Sequence, residues 1–175
     1  MLLKKIINIY GGPCIGKSTI AAGLFYHMKK EGYDVELVTE YAKDLVYEDR
    51  NNILAGDQIY IFAKQHRRIL RLKDKVEYII TDSPILLSLV YVELMKVTYD
   101  KNIFSDLVLN VYNQYPNINI LLTRNPDHVY KNNGRQQNEV ESVSIDLVIK
   151  NILKNNYIDV PVDEETINSI YNIIK

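Results

Sequence analysis

Apolar residues along the chain fall into short runs that alternate with longer stretches of helical spacing, from one end to the other. Lys5–Tyr10 predicts a first strand, and Lys17–Lys30 a helix closed by Gly32, where a left-handed C-terminal cap costs least. Asp34–Thr39 reads as a second strand, Tyr41–Glu48 as a short helix, Asp57–Lys75 as a long helix and Glu77–Thr81 as a third strand. Beyond Pro84, helices are expected over Ile85–Val97 and Phe104–Gln114, followed by a strand over Ile118–Thr123. A helix over Ser142–Asn155, a short strand at Ile158–Val160 and a helix from Glu164 complete the pattern. Strands alternating with helices are the mark of βαβ units, so the expected class is α/β: a mostly parallel five-stranded sheet flanked by helices. The length of 175 residues suits one domain.

Between the fourth strand and the next helix lies a polar segment, Arg124 to Asn138. Its KNNGRQQNE stretch has no apolar residue to anchor it to a core. A mobile lid over about residues 124–140 is therefore expected.

The strongest chemical signal is Gly11-Gly12-Pro13-Cys14-Ile15-Gly16-Lys17-Ser18, followed by Thr19. It satisfies G-x-x-x-x-G-K-[ST] between a predicted strand and a predicted helix, the context such a loop needs. The glycines let backbone N–H groups turn inward around a phosphate, at a helix N-terminus whose partial positive charge favours an anion. Lys17 would reach the outer phosphates of a nucleoside triphosphate, and the Ser18 hydroxyl would ligate Mg²⁺. Pattern and loop together predict a three-layer P-loop NTPase fold that takes Mg·ATP.

Two carboxylates are placed to work beside that loop. Asp82 ends the apolar strand in VEYIITD, where it can hold Mg²⁺ directly or through water, or simply cap the next helix. Glu40 follows the second strand in VTEYAKD, at the sheet edge where open α/β folds bind ligands. It can accept a proton from an acceptor hydroxyl during phosphoryl transfer, with Asp44 one helical turn further on as the alternative base. A solvated or capping role is the plainer reading of Glu40. Arg135, and after it Arg124, could bring positive charge to the equatorial oxygens of a transferring phosphoryl group; a solvated loop arginine is the other reading of each.

Along the long helix, Lys64, Arg67, Arg68, Arg71 and Lys75 fall within roughly a 100° arc opposite Phe62, Ile69, Leu72 and Val76. A solvated face is the ordinary explanation. The functional ones are a phosphate-bearing acceptor or a nucleic-acid backbone. The formal net charge of −1 gives no long-range attraction to nucleic acid or to anionic membrane. The single cysteine, Cys14, excludes an internal disulfide, and the N-terminal MLLKKIINIY carries no signal or spanning segment. Both lead to the expectation of a cytoplasmic protein, in the host's cytoplasm if the source is viral; the richness in Asn, Ile, Lys and Tyr fits an AT-rich genome, that of a virus or of a low-GC bacterium.

GGPCIGKST, TEYAKDLV, DQIYIFAKQ, IITDSP, and LLTRNPD leading into NNGR run in this order over about three quarters of the chain. In them the chain resembles small P-loop kinases related to the nicotinamide riboside kinase domain, with counterparts among phage proteins often labelled AAA-type ATPases. Ile15 stands where many such loops carry a small residue. The resemblance implies an ATP-dependent kinase acting on a nucleoside-like acceptor. In deoxynucleoside kinases, which look like more distant relatives, a glutamate ending the second strand is the base, and Glu40 matches it. Two other functions are open at this stage: a kinase of nucleic acid, at a strand end or a hydroxymethylated base, and an ATP-hydrolysing switch. Oligomeric state is left open.

Overall fold

The structure is a computed structural model that describes residues 3–124 and 139–175. Its elements in chain order are β1 (Lys5–Tyr10), α1 (Lys17–Lys30), β2 (Val35–Val38), α2 (Tyr41–Tyr47), α3 (Asn51–Gly56), α4 (Gln58–Leu70) and β3 (Tyr78–Thr81). There follow α5 (Leu87–Leu94), α6 (Lys101–Tyr112), β4 (Asn117–Thr123), α7 (Glu139–Leu153), β5 (Ile158–Pro161) and α8 (Thr166–Ile174). The five strands form one sheet in the order β2-β3-β1-β4-β5, and every strand pair is parallel.

Both faces of the sheet are covered, so the strands carry apolar side chains on each side rather than alternating with polar ones. Ile7 and Ile9 of β1 pack with Leu24 and Met28 of α1 and Ile170 of α8. On the other face Ile6 and Tyr10 pack with Phe62 of α4, Val90 of α5, Val108 of α6 and Ile149 of α7. Polar residues buried in the strands are Asn8, Thr81 and Asn119 among those described; Asn8 donates to Asn117 Oδ1 at 2.9 Å and Asn119 Oδ1 at 3.2 Å across the β1–β4 pair.

Several boundaries differ from those the residue pattern predicts. Helix α4 ends at Leu70 instead of Lys75: bonds such as Leu72 N–H to Ile69 C=O tighten the next residues into turns that bring Val76 into the core. Helix α3 was not expected at all, because Asn51-Asn52 and Gly56 are weak helix formers. Helix α6 starts three residues before Phe104 because the Asp100 side chain caps it, accepting from Asn102 N–H at 2.7 Å. Helix α5 is shorter than expected at both ends; it stops where Met95 adopts extended backbone.

His66 of α4 stacks on Phe62 and lies 2.8 Å, through Nε2, from the Tyr115 hydroxyl. Burial holds its pKa below the ordinary 6.5. The unfolded chain therefore takes up this proton first as pH falls, and the folded state loses stability below about pH 6.5. Thermal melts of a His66→Gln variant are expected to lose less Tm than the native chain across that pH; an equal loss would show that His66 contributes nothing to the acid sensitivity.

Candidate functional site

With β1 in the middle of the sheet and β3 and β4 on either side, the carboxyl ends of the strands converge on one edge. That is where open α/β sheets hold ligands. The segment Gly11–Gly16 turns there from β1 into α1. Cys14 has φ 65° and Gly16, at the start of α1, φ 98°. Left-handed residues set into such a turn aim successive N–H groups into a concavity that receives anions. Gly16 has open space around a would-be Cβ, so it is the left-handed backbone that favours glycine here. The Lys17 ammonium lies across the loop and donates to the Gly12 carbonyl at 2.9 Å. Ile15 is a core residue, 2% exposed among Ile7, Ile9 and Leu122, so its size does not intrude on the concavity.

The loop is braced from far along the chain. Arg124, just past β4, donates through Nη2 to the Pro13 carbonyl at 2.9 Å and through Nε to Asp146 at 2.8 Å. Asp146, on α7, also accepts from the Gly12 N–H. Ser142, four residues before it, donates to the Pro13 carbonyl at 2.7 Å and is bonded to Arg124. Gly12 is needed for this approach: a Cβ there would meet the Ser142 carbonyl oxygen at 2.6 Å and Asp146 Oδ1 at 2.8 Å. Arg124 thus stands at the base of the loop, tied to it. Arg135 lies outside the described residues, as does most of the polar segment expected to be a lid.

Asp82 and Glu40 sit at the same edge. Asn8 of β1 pairs in register with Thr81 of β3, so Asp82 lies one residue further along, beside the end of β1. Asp82 is 5% exposed, and its Oδ1 is buried with no hydrogen-bond partner among the described residues. Glu40 opens α2 but makes no side-chain capping bond to it. Its backbone neighbours are held instead by α4. Gln65 accepts from the Tyr41 N–H at 2.8 Å and donates to the Thr39 carbonyl at 3.3 Å.

Arg68 donates to the same Thr39 carbonyl at 3.1 Å and pairs with Asp44. The expected continuous basic face on this helix is therefore broken. Arg68 is drawn into the β2–α2 junction, and Lys75 lies beyond the end of α4; Lys64, Arg67 and Arg71 are exposed. Asp44 is bound to Arg68, and neither it nor Asp82 is among the residues lining the cavity described next, which Asp82 reaches only through its neighbour Ser83.

A cavity of about 560 Å³ runs from the loop to Glu40. Pro13, Cys14, Gly16, Lys17, Ser18 and Thr19 of the loop and the start of α1 line it. Glu40, Gln58, Gln65, Ser83, Tyr91 and apolar residues of α2, α3 and α5 line it as well. Burial, and after it the negative charge of Glu40, raise the Tyr91 pKa, so this phenol stays protonated beside the carboxylate. Gln58 is 2% exposed and its Oε1 has no partner among the described residues.

Gln58, Gln65, Tyr91, Ser142 and Asp146 were not anticipated. The signal for the two glutamines was their place among the buried positions Ile61, Phe62 and Ile69 of α4, where an apolar residue is the norm. For Ser142 and Asp146 it was only their i, i+4 spacing.

A parallel five-stranded sheet with this loop at its centre and a cavity along its carboxyl edge is a three-layer P-loop fold. Solved structures bear this out. Deoxyadenosine kinase from M. mycoides with the products dCMP and a flexible dCDP bound superimposes with a TM-score of 0.57 at 20% identity, over 97% of this chain and 98% of that one. The same enzyme with dATP bound gives 0.56 at 20% identity, over 97% and 98%. Thymidylate kinase from Ehrlichia chaffeensis gives 0.60 at 17% identity, over 98% of both chains. None of the curated proteins matches in sequence. The AAA domain family matches residues 6–167, and the chain belongs to that family. Among the described residues no helix is long and apolar enough to cross a membrane.

Proposed function

We propose that the chain is a kinase that moves the γ-phosphoryl group of Mg·ATP to a hydroxyl of an unphosphorylated nucleoside-like compound, ordinary nucleosides and nicotinamide riboside included. The observation that carries this reading is that the phosphate loop and Glu40 line one cavity. The loop suits a triphosphate, and the lining by Glu40, Gln58, Tyr91 and apolar residues suits a flat, partly polar acceptor. Beyond Lys17, the charged residues among the described lining are Glu40 and Lys43, one of each sign. A phosphate on the acceptor calls for an arginine fork or clustered cations, whereas here Arg68 is already paired with Asp44 and Arg124 with Asp146. The unpaired Gln58 Oε1 supplies an acceptor for an N–H or O–H on the compound's buried edge.

In this reading Glu40 takes the proton of the attacking hydroxyl. The acceptor oxygen bonds to the γ-phosphorus, the bond to the β-phosphate oxygen breaks, and ADP leaves. Lys17 neutralises charge on the outer phosphates. Arg124 holds the loop through Pro13 and Asp146, and Arg135 is the candidate to approach the phosphoryl oxygens.

The buried, unpartnered Asp82 Oδ1 and the exposed Ser18 hydroxyl at the start of α1 fit a Mg²⁺ site completed by phosphates and water. When bound, that ion supplies charge neutralisation at the β- and γ-phosphates. Replacing Asp82 by Asn removes a buried carboxylate, so the ligand-free protein is expected to melt at a higher temperature while the added stability from Mg·ATP is lost. Undiminished stabilisation of Asp82→Asn by Mg·ATP would rule out this metal role.

The reading is tested by ADP release from Mg·ATP in the presence of deoxyadenosine, deoxycytidine, thymidine, adenosine or nicotinamide riboside, their monophosphates, or DNA with and without hydroxymethylated bases. Stimulation by a nucleoside supports it. Stimulation only by monophosphates or by DNA, or hydrolysis indifferent to all of them, rejects it.

A further inference from the structure

We infer that Gln65 is a positioning residue whose carboxamide fixes the backbone on both sides of Glu40 and so aims the carboxylate into the cavity; the inference rests on the proton-accepting role proposed above for Glu40. Strand β2 ends at Val38, so Thr39 to Tyr41 have left the sheet ladder. Glu40 itself is extended, at φ −64° and ψ 123°, between the strand and the first turn of α2. Past the end of the strand ladder the Thr39 carbonyl, and in the first turn of the helix the Tyr41 N–H, take their partners from outside these two elements.

Gln65 supplies them from a different element. Its Oε1 accepts from the Tyr41 N–H and its Nε2 donates to the Thr39 carbonyl. One side-chain amide thus pairs with the backbone immediately before and after Glu40, as a segment of neighbouring strand would. Only one orientation of the amide satisfies both bonds. The side chain is 4% exposed, so water is a poor substitute for either.

The arrangement also relieves Glu40 of a competing duty. The Tyr41 N–H belongs to the first turn of α2, whose donors have no partner within the helix. Gln65 satisfies that donor from outside, and Glu40 makes no side-chain capping bond. Arg68, one turn along α4, bonds the same Thr39 carbonyl and anchors Asp44, so the helix grips the junction at two levels.

The test uses the full chain with the nucleoside of the panel above that gives the highest kcat/KM. Gln65→Met is expected to lower kcat about 10- to 100-fold, with KM for ATP and for the nucleoside little changed, because a small misplacement of a reacting group costs rate rather than ground-state binding. In a Glu40→Gln background the same substitution is expected to cause no further loss, since there is then no base to aim. Gln65→Glu, which keeps the shape and the acceptor for Tyr41 but loses the donor to Thr39, covers the case in which the methionine variant does not fold; a smaller fall in kcat is expected.

Amide exchange at Tyr41 is expected to quicken in Gln65→Met whatever the acceptor, which reads the brace independently of turnover. The inference is overturned by unchanged exchange at Tyr41, by a raised nucleoside KM at constant kcat, or by losses that multiply in the double variant. Wild-type kcat in Glu40→Gln alone overturns the reading on which it rests, a separate failure.

Discussion

Lys17→Ala is expected to reduce turnover by at least ~10²–10³-fold, the usual cost of removing one preorganised group that meets charge developing in the transition state. The Lys17 ammonium already lies over the loop, 2.9 Å from the Gly12 carbonyl, so no rearrangement of the backbone is needed to present it to a phosphate. Its side chain is only half-buried and outside both apolar clusters, so the variant should fold and melt much as the native chain does. The checks are steady-state ADP release and a thermal melt made together. Residual turnover close to the native rate in a folded variant would mean that the loop does not hold the reacting phosphates.

Glu40→Gln is expected to retain ATP binding and lose phosphoryl transfer by roughly 10²–10⁴-fold, the range for removing a general base. The substitution keeps the shape of the side chain. Because the Tyr41 N–H is satisfied by Gln65 and Glu40 makes no capping bond, α2 should be undisturbed. Transfer at the native rate, with nucleotide affinity intact, would remove Glu40 from the chemistry. Asp44 is a poor substitute, since its carboxylate is committed to Arg68.

The contrast between these carboxylates shows which parts of the site were legible in the chain. The loop between β1 and α1 could be read because each of its determinants is local: an apolar strand, glycine at a left-handed position, lysine and serine in the first helical turn. Glu40 and Asp82 could be placed at one edge because parallel βαβ units put every strand end there. The engagement of Arg68 was not legible. Its position on the helical wheel marked it as part of a basic face, and only the packing of α4 against the end of β2 brings it to Thr39 and Asp44.

The brace on the loop is a stronger case: Gly12 and Asp146 are 134 residues apart, and hydrophobic periodicity carries no information about polar contacts at that separation. Helix α3 escaped for another reason. Asn51, Asn52 and Gly56 are weak helix formers, and the helix is held by packing against α2 and α4, which residue pattern does not reveal.

The measurement that tests the central claim most directly is transfer of a radiolabelled γ-phosphoryl group from ATP, with products separated after incubation with each nucleoside and each nucleoside monophosphate. The account predicts label in a nucleoside monophosphate formed from an unphosphorylated nucleoside, and none of it when Glu40 is replaced by Gln. Label appearing only as inorganic phosphate, at a rate no nucleoside alters, would contradict it.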